Sequence, residues 1–484
     1  MGGDPPRNRS GGTGDRGRGR IRTEDGQIDY FAIEQQAAAD NNGIGNEDGE
    51  SNTSYIRRSS VNNHAWYGLV SNFGYEVNEN LNFNVGADVR FYKGIHFRQV
   101  TDFYGLTGWA NDRPDDAVVT ESFDANPWAA LFDVADDGQR IDYNYSENIN
   151  YQGLFGQVEY AKDKFSIYFQ GAISNQSYQR TAGDGFENSG DDADIQDESD
   201  KVNKFGYNIK SGLSYDFNEN NTIYGNFGFY SRQPFLDNIF RDIRRSNEIF
   251  ENPSVDNEDI TSYELGYRFQ LDRFRAIFNF YYTDWDNRVI LSTDRIEDSS
   301  GEVIQELNIF DRGVRQVHRG VELDLQYNLT NDIRLTGYVS GGNWEFEGSS
   351  NVSVYDDMTG ELVSESAGVN RDGVKVTNAP QFTAGFGARA RVISGLTVWG
   401  NINYYDRLFR NDGNSVQTEN VGRIPSYSLT DLGLSYDFSI GQNRLTFTGN
   451  VFNVFDEVRI QQSDRFGFFN TNGITFNASL RYNF

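Results

Sequence analysis

Apolar and polar residues alternate with period two over segments of ten or more residues, and the connections between those segments are alternately tight and long. These two observations predict an all-β chain, an antiparallel transmembrane β-barrel of the outer-membrane type. Composition agrees. The 484 residues include 37 Phe, 28 Tyr, 6 Trp and 50 Gly against 8 Pro, which is too rich in aromatics for a disordered chain. Mean hydropathy is −0.66, and no apolar run reaches the roughly 18 to 20 residues of a membrane helix. With no Cys, disulfides, thiolate metal sites and cysteine nucleophiles are excluded.

Segment 81–91 shows the pattern: Leu81, Phe83, Val85, Ala87, Val89 and Phe91 alternate with Asn82, Asn84, Gly86, Asp88 and Arg90. Each such segment has one apolar and one wet face. The same alternation predicts strands over 62–77, 81–103, 148–162, 164–180, 203–217, 221–233, 260–271, 273–291, 315–329, 332–347, 376–393, 395–407, 425–438, 443–456 and 471–484. Most reach the roughly 9 to 11 residues that a tilted strand needs to cross a bilayer. Tight turns fall at Asn78-Glu79-Asn80, Asp163, Asn218-Glu219-Asn220, Asp272, Thr330-Asn331, Ser394-Gly395 and Gly441-Gln442. Long loops cover 104–147, 181–202, 234–259, 292–314, 348–375, 408–424 and 457–470. Since the last strand ends on the tight-turn rim, that rim is expected to be periplasmic and the long loops extracellular.

Fifteen strands leave the first and last running the same way, so one antiparallel sheet of that count cannot close. The parity predicts a chain truncated at its N-terminal side, with 1–61 as a polar, partly disordered extracellular loop remnant and 62–484 as barrel. The apolar stretch Ile28 to Ile33 is the place where a sixteenth strand or a loop helix would sit.

Several segments, in order, resemble the barrel of TonB-dependent outer-membrane receptors. They are Ile223-Tyr224-Gly225-Asn226 with Ser231-Arg232-Gln233-Pro234, Tyr263-Glu264-Leu265-Gly266-Tyr267, Phe280-Tyr281-Tyr282-Thr283-Asp284-Trp285, Arg319-Gly320-Val321-Glu322-Leu323, Asn378-Ala379-Pro380, Pro425-Ser426-Tyr427 through Leu434, and Asn450-Val451-Phe452-Asn453-Val454-Phe455-Asp456. The resemblance covers about 60–484 and implies strands 8–22 of a barrel of about 22 strands, without a plug. It implies uptake of a scarce solute (siderophore, glycan or peptide), outer-membrane lipid as surroundings, and a TonB complex as partner only where a plug is supplied. The terminal strand ending in Phe484 resembles the signal read by the barrel-assembly machinery. The alternative from another class is a surface all-β adhesin or glycan-binding protein.

For sites, the wet face predicts lumen-facing Asp88, Arg90, Glu322, Asp324, Arg389 and Arg391. Loop aromatics Trp109, Trp128 and Phe132 are ligand-binding candidates because a membrane-interface girdle does not account for them, whereas Tyr281, Tyr282, Trp285, Tyr404 and Tyr405 read as that girdle. Asp191, Asp192, Asp194 and Asp197 lie in an acidic loop that could hold a divalent cation loosely, without an EF-hand pattern. His64, His96 and His318 sit on different strands with no ligand spacing, so no metal centre or cofactor is expected. No nucleophile motif points to an enzyme. The arginine-glycine run near Arg16 does not predict nucleic-acid binding against a net charge of −28.

Overall fold

The computed structural model describes residues 7–8, 23–25, 27–39, 43–46, 55–110, 117–184, 186, 198–250, 255–297, 303–357, 360–411, 413, 416–464 and 467–483. Fifteen strands form one antiparallel wall: β1 Tyr55–Asn78, β2 Leu81–Asp102, β3 Arg140–Lys162, β4 Phe165–Ala182, β5 Val202–Asn218, β6 Asn221–Arg232, β7 Glu258–Gln270, β8 Phe274–Glu297, β9 Val303–Asn328, β10 Ile333–Glu347, β11 Pro380–Ile393, β12 Leu396–Phe409, β13 Tyr427–Ile440, β14 Asn443–Phe452 and β15 Thr475–Asn483. Each pairs with its neighbours in chain order, β1 to β2 through β14 to β15. All fifteen predicted strands are present.

The tight turns are closed by their own side chains. Asn78 Oδ1 accepts the Asn80 N–H at 2.9 Å, and Asn218 Oδ1 accepts the Asn220 N–H at 2.9 Å, the Asx geometry that reverses a chain in few residues. Gly395 has φ +82°, and a Cβ there would stand 2.4 Å from the Asp437 carbonyl oxygen, so this turn requires glycine.

At the long-loop end the strands run further than the alternation predicts. The connection expected over 292–314 is mostly strand, because β8 and β9 continue past a bulge between Trp285 and Arg288, where Asn287 takes φ 55°. β1 likewise starts at Tyr55, before the boundary expected at 62. A hairpin of Ser349–Asp356 and Leu362–Asn370 rises from the loop after β10 and pairs with the β9 extension. The apolar stretch near Ile28 is part of a helix, α1 Tyr30–Ala39, and not a sixteenth strand. Helix α1 packs on the loop after β2, in a cluster of Ala37, Ile56, Val100, Leu106, Trp109, Val119 and Ile141.

Register makes the two faces continuous, since residues directly opposite each other share a face. Leu69 opposes Val89, Phe83 opposes Val158 and Tyr75, and Phe169 opposes Val158. Further round, Phe278 opposes Tyr267 and Leu323, and Leu434 opposes Val398. All of these face one side, which is exposed and apolar from β1 to β15. Soluble monomers rarely expose large contiguous apolar patches, so a mainly apolar face carried across all fifteen strands is a mark of an interaction or membrane surface.

Candidate functional site

The opposite face is a belt of polar contacts between strands. Tyr168 donates to Asn226 at 3.3 Å, and Asn226 Nδ2 donates to Glu264 at 2.9 Å. Tyr338 donates to Asn403 at 3.0 Å, Asn401 to Asp431 at 3.2 Å, and Asn450 to Asn477 at 2.9 Å. Aromatic rings lie flat over glycines of the adjacent strand. Added Cβ atoms would meet Tyr224 at Gly266 (2.1 Å), Tyr338 at Gly385 (2.2 Å) and Trp399 at Gly433 (2.3 Å). These glycines therefore supply the space that ties each ring to its neighbouring strand.

The six charged residues predicted for the wet face all lie on this belt, but the fold does not gather them into one site. On β2, Arg90 Nε donates to Asp88 at 2.9 Å and its guanidinium lies 5.4 Å from the Tyr151 ring. Glu322 and Asp324 oppose Asn279 and Ile277 on β8. Asp324 lines a recess of about 330 Å³ with Arg275, Tyr338, Asn401 and Asn403, floored by Gly385 and Gly387. Arg389 lies over Trp399 at 5.1 Å, and Arg391 reaches Asp332 at 3.6 Å near the tight-turn rim.

Towards the long-loop end the belt ends in a network that the histidine spacing did not reveal. His64 Nδ1 lies 2.6 Å from Tyr92 Oη, which donates to Glu147 at 3.1 Å; His96 Nε2 lies 3.1 Å from the same carboxylate and its Nδ1 2.7 Å from Asn62 Oδ1. His96 stacks on Tyr145 with ring centres 5.0 Å apart. The signal was the turn at Glu79. A tight hairpin centred there pairs Asn62 with His96 and His64 with Gly94, so it places two distant histidines side by side. His318 stands apart between Trp285 (5.7 Å) and Trp344 (5.2 Å, stacked). Among the described residues no group of three or more His, Asp or Glu is arranged to hold a metal ion.

The five aromatics read as a girdle divide between the two faces. Tyr281 and Trp285 lie on the polar face, where Trp344 Nε1 donates to Tyr281 Oη at 2.9 Å. Tyr405 is also on that face, 5.0 Å from the Tyr427 ring, whereas Tyr282 and Tyr404 lie on the apolar face. A run of adjacent aromatics cannot share one face of a strand.

Above the wall, the loop aromatics divide. Trp109 is 0% exposed in the loop core, so packing accounts for it and it offers no ring to a ligand. Trp128 and Phe132, flanking the turn Ala129–Leu131, are 76% and 92% exposed. Asp191, Asp192, Asp194, Asp197 and the terminal Phe484 lie outside the described residues.

The segment 234–250 folds back onto the polar side of β4. Tyr178 donates to the Pro234 carbonyl at 2.6 Å, and fully buried Arg180 donates to the Ile243 and Arg244 carbonyls at 2.7 and 2.9 Å and to Asn247 Oδ1 at 2.6 Å. Burial raises the Asp242 carboxyl above its ordinary range, Asp357 adding to the effect and Arg245 and Arg180 opposing it. Arg245 bonds Asp357 at 2.7 Å, and Arg371 forms a buried ion pair with Asp311. Desolvation lowers the Arg371 guanidinium below its ordinary value.

Residues 2–454 match the family model described as TonB dependent receptor-like, beta-barrel. The chain belongs to the TonB-dependent receptor β-barrel family. Solved members of similar fold include the copper transporter OprC (14% identity, TM-score 0.58, covering 89% of this chain and 58% of that one). The siderophore receptor PiuA from Acinetobacter baumannii is similar at 13% identity and TM-score 0.57, covering 90% and 59%. The unliganded ferric citrate transporter FecA is similar at 12% and 0.55, covering 89% and 57%. This receptor barrel chain thus spans less than two thirds of the length of those structures. No curated protein matches it.

Proposed function

We propose that the chain forms part of the wall of an outer-membrane receptor that takes up a scarce small solute, and that it is a transporter rather than an enzyme. The observation carrying this reading is the pair of continuous faces: exposed apolar residues across fifteen strands on one side, and hydrogen-bonded polar residues on the other. Lipid covers the first face, because a barrel strand in a bilayer turns its apolar side chains outward and its polar ones to the lumen. The second face lines the lumen with Asp88, Arg90, Glu322, Asp324, Arg389 and Arg391. The long loops face outside, where Trp128 and Phe132 offer exposed rings to the solute. The segment before β1 belongs to that outer cap, with α1 packed on the loop after β2.

The reading has the barrel-assembly machinery insert the wall through its last strand, and gives it a TonB complex as partner only where a plug is supplied. The wall itself then binds and guides, and does no chemistry. Relatives named for copper, siderophore and ferric citrate uptake support a scarce solute without choosing among siderophore, glycan and peptide. The test is growth on limiting candidate solutes of cells with and without the chain, alongside a Trp128→Ala/Phe132→Ala double variant. Uptake that depends on the chain and weakens in the variant supports the reading. Uptake unaffected by deletion, with surface adhesion lost, would favour the adhesin.

A further inference from the structure

The loop between β2 and β3 raises a tip that is apolar where a solvated loop would be polar. Its two stems are fastened to the end of β2. The Phe123 N–H donates to the Val100 carbonyl at 2.9 Å, the Ala135 N–H donates to Gln99 Oε1 at 3.0 Å, and Gln139 Oε1 accepts the Thr120 and Glu121 N–H groups at 3.0 Å. Phe123 and Ala135 are buried with Val61 and Phe97. Between the stems, the Asp124 carboxylate accepts the Asn126 N–H at 2.8 Å and Asn126 Oδ1 accepts the Trp128 N–H at 3.0 Å, two successive Asx turns. The turn Ala129–Leu131 follows, and the Ala129 carbonyl accepts the Phe132 and Asp133 N–H groups at 2.9 Å. This braced backbone holds out Trp128, Leu131 and Phe132, which are 76%, 63% and 92% exposed. Large apolar side chains grouped on a surface mark an interaction site.

The charges around the tip have one sign. From Ala117 to Gln139 the loop carries Glu121, Asp124, Asp133, Asp136 and Asp137 and no Lys or Arg. Arg140, at the base, pairs with Asp137 at 2.5 Å. Arg57 lines a recess of about 420 Å³ with Ser122, Phe123 and Asp124, but it is engaged by Thr101 at 3.1 Å and Asp102 at 3.7 Å. Glu121, Asp124 and Asp133 form no ion pair among the described residues.

We infer that this tip docks a cationic peptide, whose apolar side chains cover Trp128, Leu131 and Phe132 and whose Lys or Arg groups lie against Glu121, Asp124 and Asp133. The inference rests on the reading of the long loops as solute-capturing and narrows the solute to one class. Lysine and arginine suit such a tip, since their aliphatic stems cover apolar surface while the charge stays in water, and an aromatic face itself attracts a cation. An anionic chelate or an acidic peptide meets like charge here. A glycan stacks on rings, but it brings no aliphatic group for Leu131 and no charge to answer the carboxylates.

The test uses the assembled receptor in phosphatidylcholine vesicles, which carry no net charge, with receptor-free vesicles as the blank. Three labelled peptides share their leucines and differ only in carrying lysine, glutamine or glutamate at the remaining positions; fluorescence anisotropy reads their binding. Expected is an affinity for the lysine peptide roughly tenfold above that for the glutamate peptide, falling as salt is raised. Asp124→Asn/Asp133→Asn, which keeps the oxygen that closes the first turn, and Trp128→Ala/Phe132→Ala should each weaken it several-fold. Equal affinity for the three peptides, or lysine-peptide binding that neither double variant changes, would overturn the inference. Binding that Trp128→Ala/Phe132→Ala weakens and Asp124→Asn/Asp133→Asn does not would overturn the cationic class and leave the loops as solute-capturing. Uptake is not read here, so a failure of the transport reading leaves this result intact.

Discussion

His64 and His96 stand 5.9 Å apart, ring centre to ring centre, although 32 positions separate them in the chain, because the β1–β2 hairpin folds about Glu79. Both rings connect to Glu147, His96 directly and His64 through Tyr92. The two connections differ in kind. Tyr92→Phe removes a neutral bridge and should cost about 1 kcal/mol, whereas His96→Ala removes contacts to both the largely buried Glu147 carboxylate and Asn62, together with the stacking on Tyr145, and should cost about 2 to 3 kcal/mol. Unfolding of the two variants in the assembled receptor compares them; equal losses would mean that Glu147 does not depend on His96.

The apolar face gives the next prediction. Val85 opposes Phe73 and Gly156, and Asn84 opposes Gly74 and Gln157 on the other side of the same strand. Val85→Arg should therefore cost about 2 to 4 kcal/mol near the bilayer midplane, and Asn84→Arg much less. Folding free energies of the assembled receptor in lipid vesicles measure both, and similar costs would refute the assignment of faces.

Arg180 should act as the clamp of segment 234–250. Arg180→Lys keeps the charge but loses the planar fork that serves three acceptors. Hydrogen exchange of the peptide 236–250 should speed up several-fold in the variant while the β6–β7 pairing is unchanged. Unchanged exchange in 236–250 would show that the apolar contacts of Leu236, Ile239 and Phe240 with Tyr178 hold the segment alone.

The same segment should respond to pH through Asp242. Its folded pKa is raised, so the packed segment binds the proton more tightly than the open one. The destabilisation is full above the folded pKa and disappears as pH falls towards the unfolded value of 3.8. Exchange of 236–250, corrected for its intrinsic pH dependence, should slow on acidification across that window, and this slowing should be absent in Asp242→Asn. Faster exchange on acidification, or the same slowing in the variant, would contradict the assignment.

The wall was legible in the sequence because a bilayer imposes a rule on it. Lipid-facing positions are predominantly apolar, so Leu81 to Phe91 displays its faces without reference to any neighbour. Beyond the bilayer that rule lapses. The β8 and β9 extensions are held by pairing with each other and with the hairpin of Ser349–Asp356, and a polar segment such as Ser292–Thr293 carries no alternation to announce it. Trp109 reads as a ligand candidate because no girdle accounts for a loop aromatic, yet it is buried against residues such as Ala37 and Ile56, which precede it by more than fifty positions. The network at His64 required hairpin register, which the turn at Glu79 encoded and histidine spacing alone did not. The belt of rings on glycines was hidden in the same way: Tyr281 looks like a girdle residue until Gly320 and Gly342 are placed beside it.

The central claim is a membrane wall with its long loops outside and its tight turns inside. It is tested most directly with single cysteines placed into this Cys-free chain. Trp128→Cys sits at an exposed loop tip, and Glu219→Cys sits in the tight turn between β5 and β6. Intact cells carrying the assembled receptor are treated with a membrane-impermeant thiol reagent. The wall described here predicts labelling at position 128 and none at 219 until the outer membrane is broken; labelling of 219 but not 128 in intact cells would contradict it.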